Sequence, residues 1–149
     1  MPSSELARRT LDRRLAPLRH LETPAPPRGW IRALREALGM SAADLGRRMG
    51  MTRQAISQLE RSEAEESIRL DTLRRAGEAL DSELVYALVP KESLDDIVEA
   101  RARAVAERTV EGVEHTMALE AQTGGGEDRE RLVEELAERL KASNRLWSD

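Results

Sequence analysis

The sequence predicts a mainly α-helical protein with one short β-strand. Three observations carry that expectation. The chain has no Phe, one Tyr and two Trp in 149 residues, so any core must be assembled from Leu, Ala, Val, Ile and Met. With 35% charged residues, this is the composition of amphipathic helices rather than of a β-sandwich. Apolar residues recur at helical spacing in most segments, and a single run, "ELVYALVP" at 83–90, is β-prone and closed by Pro90.

Taken in order, "SSELARRTLDRRLAPLRH" (3–20) reads as a basic helix. Ser3 or Ser4 caps it, Leu6, Leu11, Leu15 and Leu18 lie near one side, and Pro17 disturbs its last turn. "ETPAPP" (22–27) is a stiff extended linker, because each Pro fixes φ and disfavours helix in the residue before it. "RGWIRALREALG" sets Trp30, Ile31, Leu34 and Leu38 at helical spacing, with Gly39 as the stop. Ser41 caps the next helix, with Asp44 in a capping-box place and Gly50 at the end. Thr52 caps "RQAISQLER", and Leu70, Leu73, Ala76 and Leu80 mark a further helix before the expected strand at 84–89. Residues 92–122 read as one long helix through Leu94, Ile97 or Val98, Val105, Val113 and Met117. "TGGGED" (123–128) is a break, and a last amphipathic helix runs through Leu132, Val133, Leu136 and Leu140 towards Trp147. The expected organisation is an N-terminal basic helix and linker (1–26), a compact helical domain with its strand (27–90) and an acidic helical region (91–149).

Composition removes several functions. Without Cys there are no disulfides and no thiolate zinc sites. His115 has Glu111 and Glu120 nearby, but His20 is the only other histidine, so no metal centre is expected. Gly124 to Gly126 lack a following Lys-Ser/Thr, and two histidines give no Ser-His-Asp arrangement, so neither an enzyme nor a cofactor is expected. No apolar run approaches the roughly 20 residues of a membrane span, and the N-terminus has no apolar signal core. A soluble cytoplasmic protein is the expectation.

The net charge of −4 conceals a split. Residues 1–62 carry 12 Lys+Arg against 6 Asp+Glu, a balance of +6; residues 63–149 carry 12 against 22, a balance of −10. Such asymmetry suggests a basic face for a polyanion and an acidic region for something else. The basic half holds Ser41 to Glu60, two short capped helices joined by a tight turn with Gly, which is the grammar of a helix-turn-helix. In such a motif the second helix enters the major groove of double-stranded DNA. Gln54 suits adenine, and Arg53 suits guanine or phosphate. Ser57 and Gln58 follow one turn later. Ser41 and Thr52 mark helix N-termini able to hold phosphates, and Arg47, Arg48 and Arg61 add charge. A homodimer is expected, because one recognition helix offers too little contact for a specific operator. For the acidic helices, binding of a partner protein through Leu132, Leu136, Leu140 and Trp147 stands beside closure of the fold or of the dimer. A protein that binds only a partner, with the helix-turn-helix as scaffold, is the alternative to a DNA reader.

"MSAADLGRRMGMTRQAISQLER", followed by "LDTLRRAGEAL", resembles the Cro/phage-repressor (XRE) type of helix-turn-helix. The resemblance spans about Trp30 to Leu80 and implies a five-helix domain with Leu45, Ile56, Leu59, Leu73 and Leu80 in its core. It also implies Thr52, Arg53, Gln54, Ser57 and Gln58 as DNA-facing residues. The strand after the last helix resembles the arrangement in antitoxin-type members, where a strand helps pair two protomers. Across "LDRRLAPLRHL", "PPRGWIRALREALGM", "ELVYALVP" and "HTMALEAQ" the chain is similar to the mobile mystery protein A group. That similarity implies an antitoxin-like autorepressor partnered with a co-encoded Fic-domain protein. Fic inhibitors generally carry Ser/Thr-x-x-x-Glu-Gly/Asn; Glu111-Gly112 matches its end, but position 107 is Glu.

Overall fold

The structure, a computed structural model, describes residues 3–119, 125–143 and 145–148. In chain order its helices are α1 (Ser4–Leu15), continued by a 3-10 turn at Ala16–His20, then α2 (Trp30–Ala37), α3 (Ala42–Met49), α4 (Arg53–Ala64), α5 (Leu70–Ala79), α6 (Leu94–Leu119) and α7 (Gly126–Ala142). They form two compact units: Glu22–Leu88, and Met1–Leu21 together with Val89–Asp149. The N-terminal helix thus shares a unit with the C-terminal pair. Glu120 and Gly124 lie outside the described residues, as does the side chain of Met117.

In the unit Glu22–Leu88, helices α2 to α5 surround one apolar core. Ile31, Leu45, Ile56, Leu59, Ala76 and Leu80 are buried there, with Leu34, Leu73, Met40, Met49 and Met51 packed against them. Local signals set the helix ends. Ser41 and Asp44 form a full capping box on α3, Gly50 ends that helix in the left-handed conformation, and Thr52 Oγ1 accepts the Ala55 N–H at 3.0 Å to start α4. The buried stripe of α2 is Ile31, Leu34 and Arg35. Trp30 is the first residue of that helix and Leu38 lies just past its last, so both are exposed although the spacing placed them with the core.

Two polar contacts from α4 hold α2. The Arg35 guanidinium donates to the Glu60 carboxylate twice, at 2.5 and 3.1 Å, and Nη1 also donates to the Met40 carbonyl at 2.9 Å. Both partners of this ion pair are buried. The hydrogen bond to Glu60, strengthened by its charge, raises the Arg35 pKa above its ordinary value. One turn on, the Glu63 carboxylate accepts from the backbone N–H groups of Trp30 and Ile31, capping α2. Gly29, at φ +88°, leaves room for that carboxylate, which a side chain there would meet.

Two expectations for this unit are corrected. Among the described residues it holds four helices, not five. Asp81 turns the chain out of α5 at φ +51°, and residues 82–90 then form no regular secondary structure up to Pro90, which cannot continue a helix. The expected strand at 84–89 is likewise not formed within the chain. A strand needs a neighbour to share its hydrogen bonds, and the run makes no backbone hydrogen bond to another segment among the described residues.

In the other unit, α6 and α7 form an antiparallel hairpin. Its core is Ala102, Ala106 and Val110 of α6 against Val133 and Ala137 of α7, with Leu146 beyond. Small residues at i, i+4 and i+8 let the two helices approach closely, so the buried stripe follows the alanines. The bulkier Val105 is only half-buried and Val113 is exposed. Ion pairs flank the seam: Arg103 with Glu130 at 2.7 Å, Lys141 with Glu99 at 2.5 Å and Arg129 with Glu114 at 3.1 Å. Helix α1 has no buried residue and docks mainly by polar contacts. The Asp12 carboxylate accepts from the Leu94 N–H at 2.8 Å, capping α6, and from Arg19 at 3.1 Å, while Arg8 pairs with Asp95 at 2.8 Å.

The ion pair gives a stability prediction. Arg35→Met leaves the Glu60 charge buried without a partner and should lower the unfolding free energy in denaturant by about 3–5 kcal/mol. The double variant Arg35→Met/Glu60→Leu removes the stranded charge and should recover most of that loss. Equal destabilisation of the single and double variants would contradict the role assigned to the pair.

Candidate nucleic-acid interface

The turn between α3 and α4 depends on two glycines. Gly50, at φ +66°, reverses the chain after α3. Gly46 is buried inside α3, and a Cβ there would sit 2.5 Å from the Met51 carbonyl oxygen. The Met51 N–H in turn donates to the Gly46 carbonyl at 2.8 Å, so the turn folds back onto the bare backbone of the helix it leaves. The sequence reading rested on Gly50 alone. The signal for Gly46 was present: a glycine within a helical pattern, where it costs helix stability, marks a close approach of backbone.

Helix α4 is divided lengthwise. Ile56, Leu59 and Glu60 are buried, while Thr52, Arg53, Gln54, Ser57, Gln58 and Arg61 all lie exposed. The structure therefore brings every expected residue of the second helix to its solvent side. Ser57 Oγ donates to the Arg53 carbonyl at 3.2 Å, and Arg61 Nη1 donates to Gln58 Oε1 at 3.2 Å. Thr52 Oγ1 is engaged as the cap acceptor, which leaves its hydroxyl proton to donate outward. No acidic residue lies in the first turn of α4, so its positive dipole end and Arg53 act together.

The α3 end differs. The Ser41 backbone N–H and hydroxyl both donate to the Asp44 carboxylate, at 2.7 and 2.6 Å, and the Asp44 N–H returns a bond to Ser41 Oγ at 3.1 Å. The Ser41 hydroxyl, its backbone N–H and the Arg47 charge hold the Asp44 carboxyl below its usual pKa. Arg47 pairs with that same carboxylate, and Arg48 lies 3.3 Å from Asp81. The N-terminus of α3 thus already holds a carboxylate. The arginines beside it are exposed but carry internal counter-charges.

The four residues expected to meet a partner protein are split by the hairpin. Leu136 and Leu140 pack against its core, whereas Leu132 is 54% and Trp147 62% exposed. The Arg101 guanidinium lies over the Trp147 ring, 5.4 Å from its centre, and Arg101 Nε donates to the Leu146 carbonyl at 3.2 Å. Among the described residues no cluster of three His, Asp or Glu is arranged to hold a metal, and no helix is long and apolar enough to cross a membrane.

Gly46→Ala should cost about 2 kcal/mol of stability, because the added carbon forces α3 and the Met51 carbonyl apart. Displacement of α4 should also weaken DNA binding in the folded fraction. A thermal melt and a binding titration on the same sample check both effects, and an unshifted melt would contradict the close approach.

Neither the curated proteins nor the solved structures contain a match to the chain. Residues 31–86 match the helix-turn-helix family, so the segment from α2 to just beyond α5 carries a helix-turn-helix domain.

Proposed function

We propose that the protein is a sequence-specific, homodimeric transcriptional repressor that binds its own promoter, and that it is not an enzyme. The helix-turn-helix domain supports DNA-binding transcription regulation as its function. The observation that carries the sequence-specific reading is the divided α4: its buried side belongs to the core, and its exposed side offers Arg53, Gln54, Ser57 and Gln58 in succession. These side chains can donate to and accept from base edges in the major groove, and each bidentate pairing discriminates by about 1–3 kcal/mol. Arg61 and the first turn of α4 supply phosphate contacts.

In a gel-shift titration with the upstream promoter, Arg53→Ala/Gln54→Ala should weaken binding about 100-fold, with little change on unrelated DNA. Wild-type binding should also fall steeply with added salt, as released counterions require. Equal binding of wild type and double variant to the promoter would reject specific readout and favour the scaffold alternative.

The similarity to the mobile mystery protein A group supports an antitoxin-like role, in which a co-encoded Fic-domain protein is the partner. The acidic hairpin is the surface proposed for it, with the exposed Leu132 and Trp147 as apolar contacts and the surrounding carboxylates as complement to a basic surface. Leu136 and Leu140 then act indirectly, by holding α7 against α6. Leu132→Asp/Trp147→Ala leaves the hairpin core intact and should reduce co-purification with the Fic-domain protein by at least about tenfold. Undiminished recovery would exclude this face as the partner site.

A further inference from the structure

Helix α1 and the 3-10 turn after it carry five arginines, and the fold sorts them by side. Arg8 and Arg19 are half-buried and face their own unit, paired with Asp95 and Asp12. Arg9, Arg13 and Arg14 are exposed. Arg9 shares its charge with Glu5 on the same helix. Arg13 and Arg14 have no side-chain partner among the described residues. The carboxylates of α1 are Glu5 and Asp12, and Asp12 is turned in to cap α6. The outward side of the helix therefore ends in two adjacent, uncompensated guanidinium groups.

The helix-turn-helix unit brings little net charge of its own to a polyanion. Residues 22–88 carry 10 Lys+Arg against 11 Asp+Glu, a balance of −1. Five of those arginines are tied to carboxylates of the same unit, among them Arg35 to Glu60 and Arg47 to Asp44. Residues 89–149 carry 9 against 15, a balance of −6, whereas residues 1–21 carry 5 against 2, a balance of +3. Affinity for a duplex comes largely from neutralising phosphates with Lys and Arg, and α1 is where the chain keeps its surplus. We propose that Arg13 and Arg14 bind phosphates of the same duplex that α4 contacts, an inference that rests on the DNA-binding reading above and adds a second contact to it. The guanidinium fork suits phosphate oxygens and keeps its charge at any working pH. Chain length permits both contacts at once. Residues 22–29 can span up to about 29 Å, against a duplex turn of about 34–36 Å.

Binding titrations of the full-length protein at several salt concentrations test this contact. Arg13→Gln/Arg14→Gln should reduce the slope of log affinity against log salt by about 1.8, the share of two phosphates. Its loss of affinity should accordingly shrink about tenfold between about 50 and 200 mM salt. That loss should be equal on the promoter and on an unrelated duplex, because phosphates carry no sequence information. Arg53→Ala/Gln54→Ala, by contrast, should lose affinity on the promoter alone. Arg13→Lys/Arg14→Lys keeps both charges and should keep the wild-type slope. A wild type that binds neither duplex would overturn the DNA-binding reading and this contact together. Wild-type binding with an unchanged slope in the Gln variant, or with an equal loss in the Lys variant, would overturn this contact alone.

Discussion

The buried ion pair between Arg35 and Glu60 is the interaction on which the helix-turn-helix unit most depends. Glu60 lies on α4, the same helix that carries the exposed polar face, and Arg35 lies on α2. Burying two charges is costly unless each finds its partner with good geometry. The forked contact to both Glu60 oxygens, with the Met40 carbonyl taking a further N–H, supplies that geometry. Glu63 adds a second tie from the same helix by capping α2. A hydrophobic contact would tolerate sliding of α4 along its axis; a forked ion pair and a carboxylate cap do not. The orientation of that exposed face is therefore set from behind, by buried charges.

The turn completes that constraint from the other side. Gly46 lets the Met51 carbonyl approach the backbone of α3, and Gly50 reverses the chain without strain. The start of α4 is thus fixed by sterics and its middle by the ion pair. What remains free is its solvent side, where Arg53 and Gln54 occupy the first turn. The α3 terminus offers a contrast, because Asp44 already satisfies Ser41 and draws Arg47 to itself. Two helix N-termini that look alike in sequence differ in the charge they present: one is neutralised from within, and the other is left positive.

The second unit applies a different rule. Its hairpin buries alanines and valines in a narrow seam, which leaves Leu132 and Trp147 outside. Acidic residues dominate this part of the chain, and many are tied into ion pairs across the seam. The acidic balance of this part of the chain is thus partly structural.

The helix-turn-helix was legible in the sequence because its signals are local. Ser41 with Asp44, Gly50 and Thr52 mark helix ends by short-range hydrogen bonds, and the period of Leu45, Ile56 and Leu59 marks a core face. Those features also determined which side of α4 faces solvent, and so identified Arg53, Gln54, Ser57 and Gln58. Other features required the tertiary structure. Arg35 and Glu60 are 25 positions apart, and nothing in the spacing of two charged residues says that they are buried together. The hairpin seam was not legible in the sequence, because hydrophobic periodicity weights large side chains, whereas close helix packing selects small ones, Ala102 and Ala106. The run at 83–90 shows the same division. Its sequence carries the propensity for a strand, but a strand exists only with a neighbour, and the run makes no backbone hydrogen bond to another segment among the described residues.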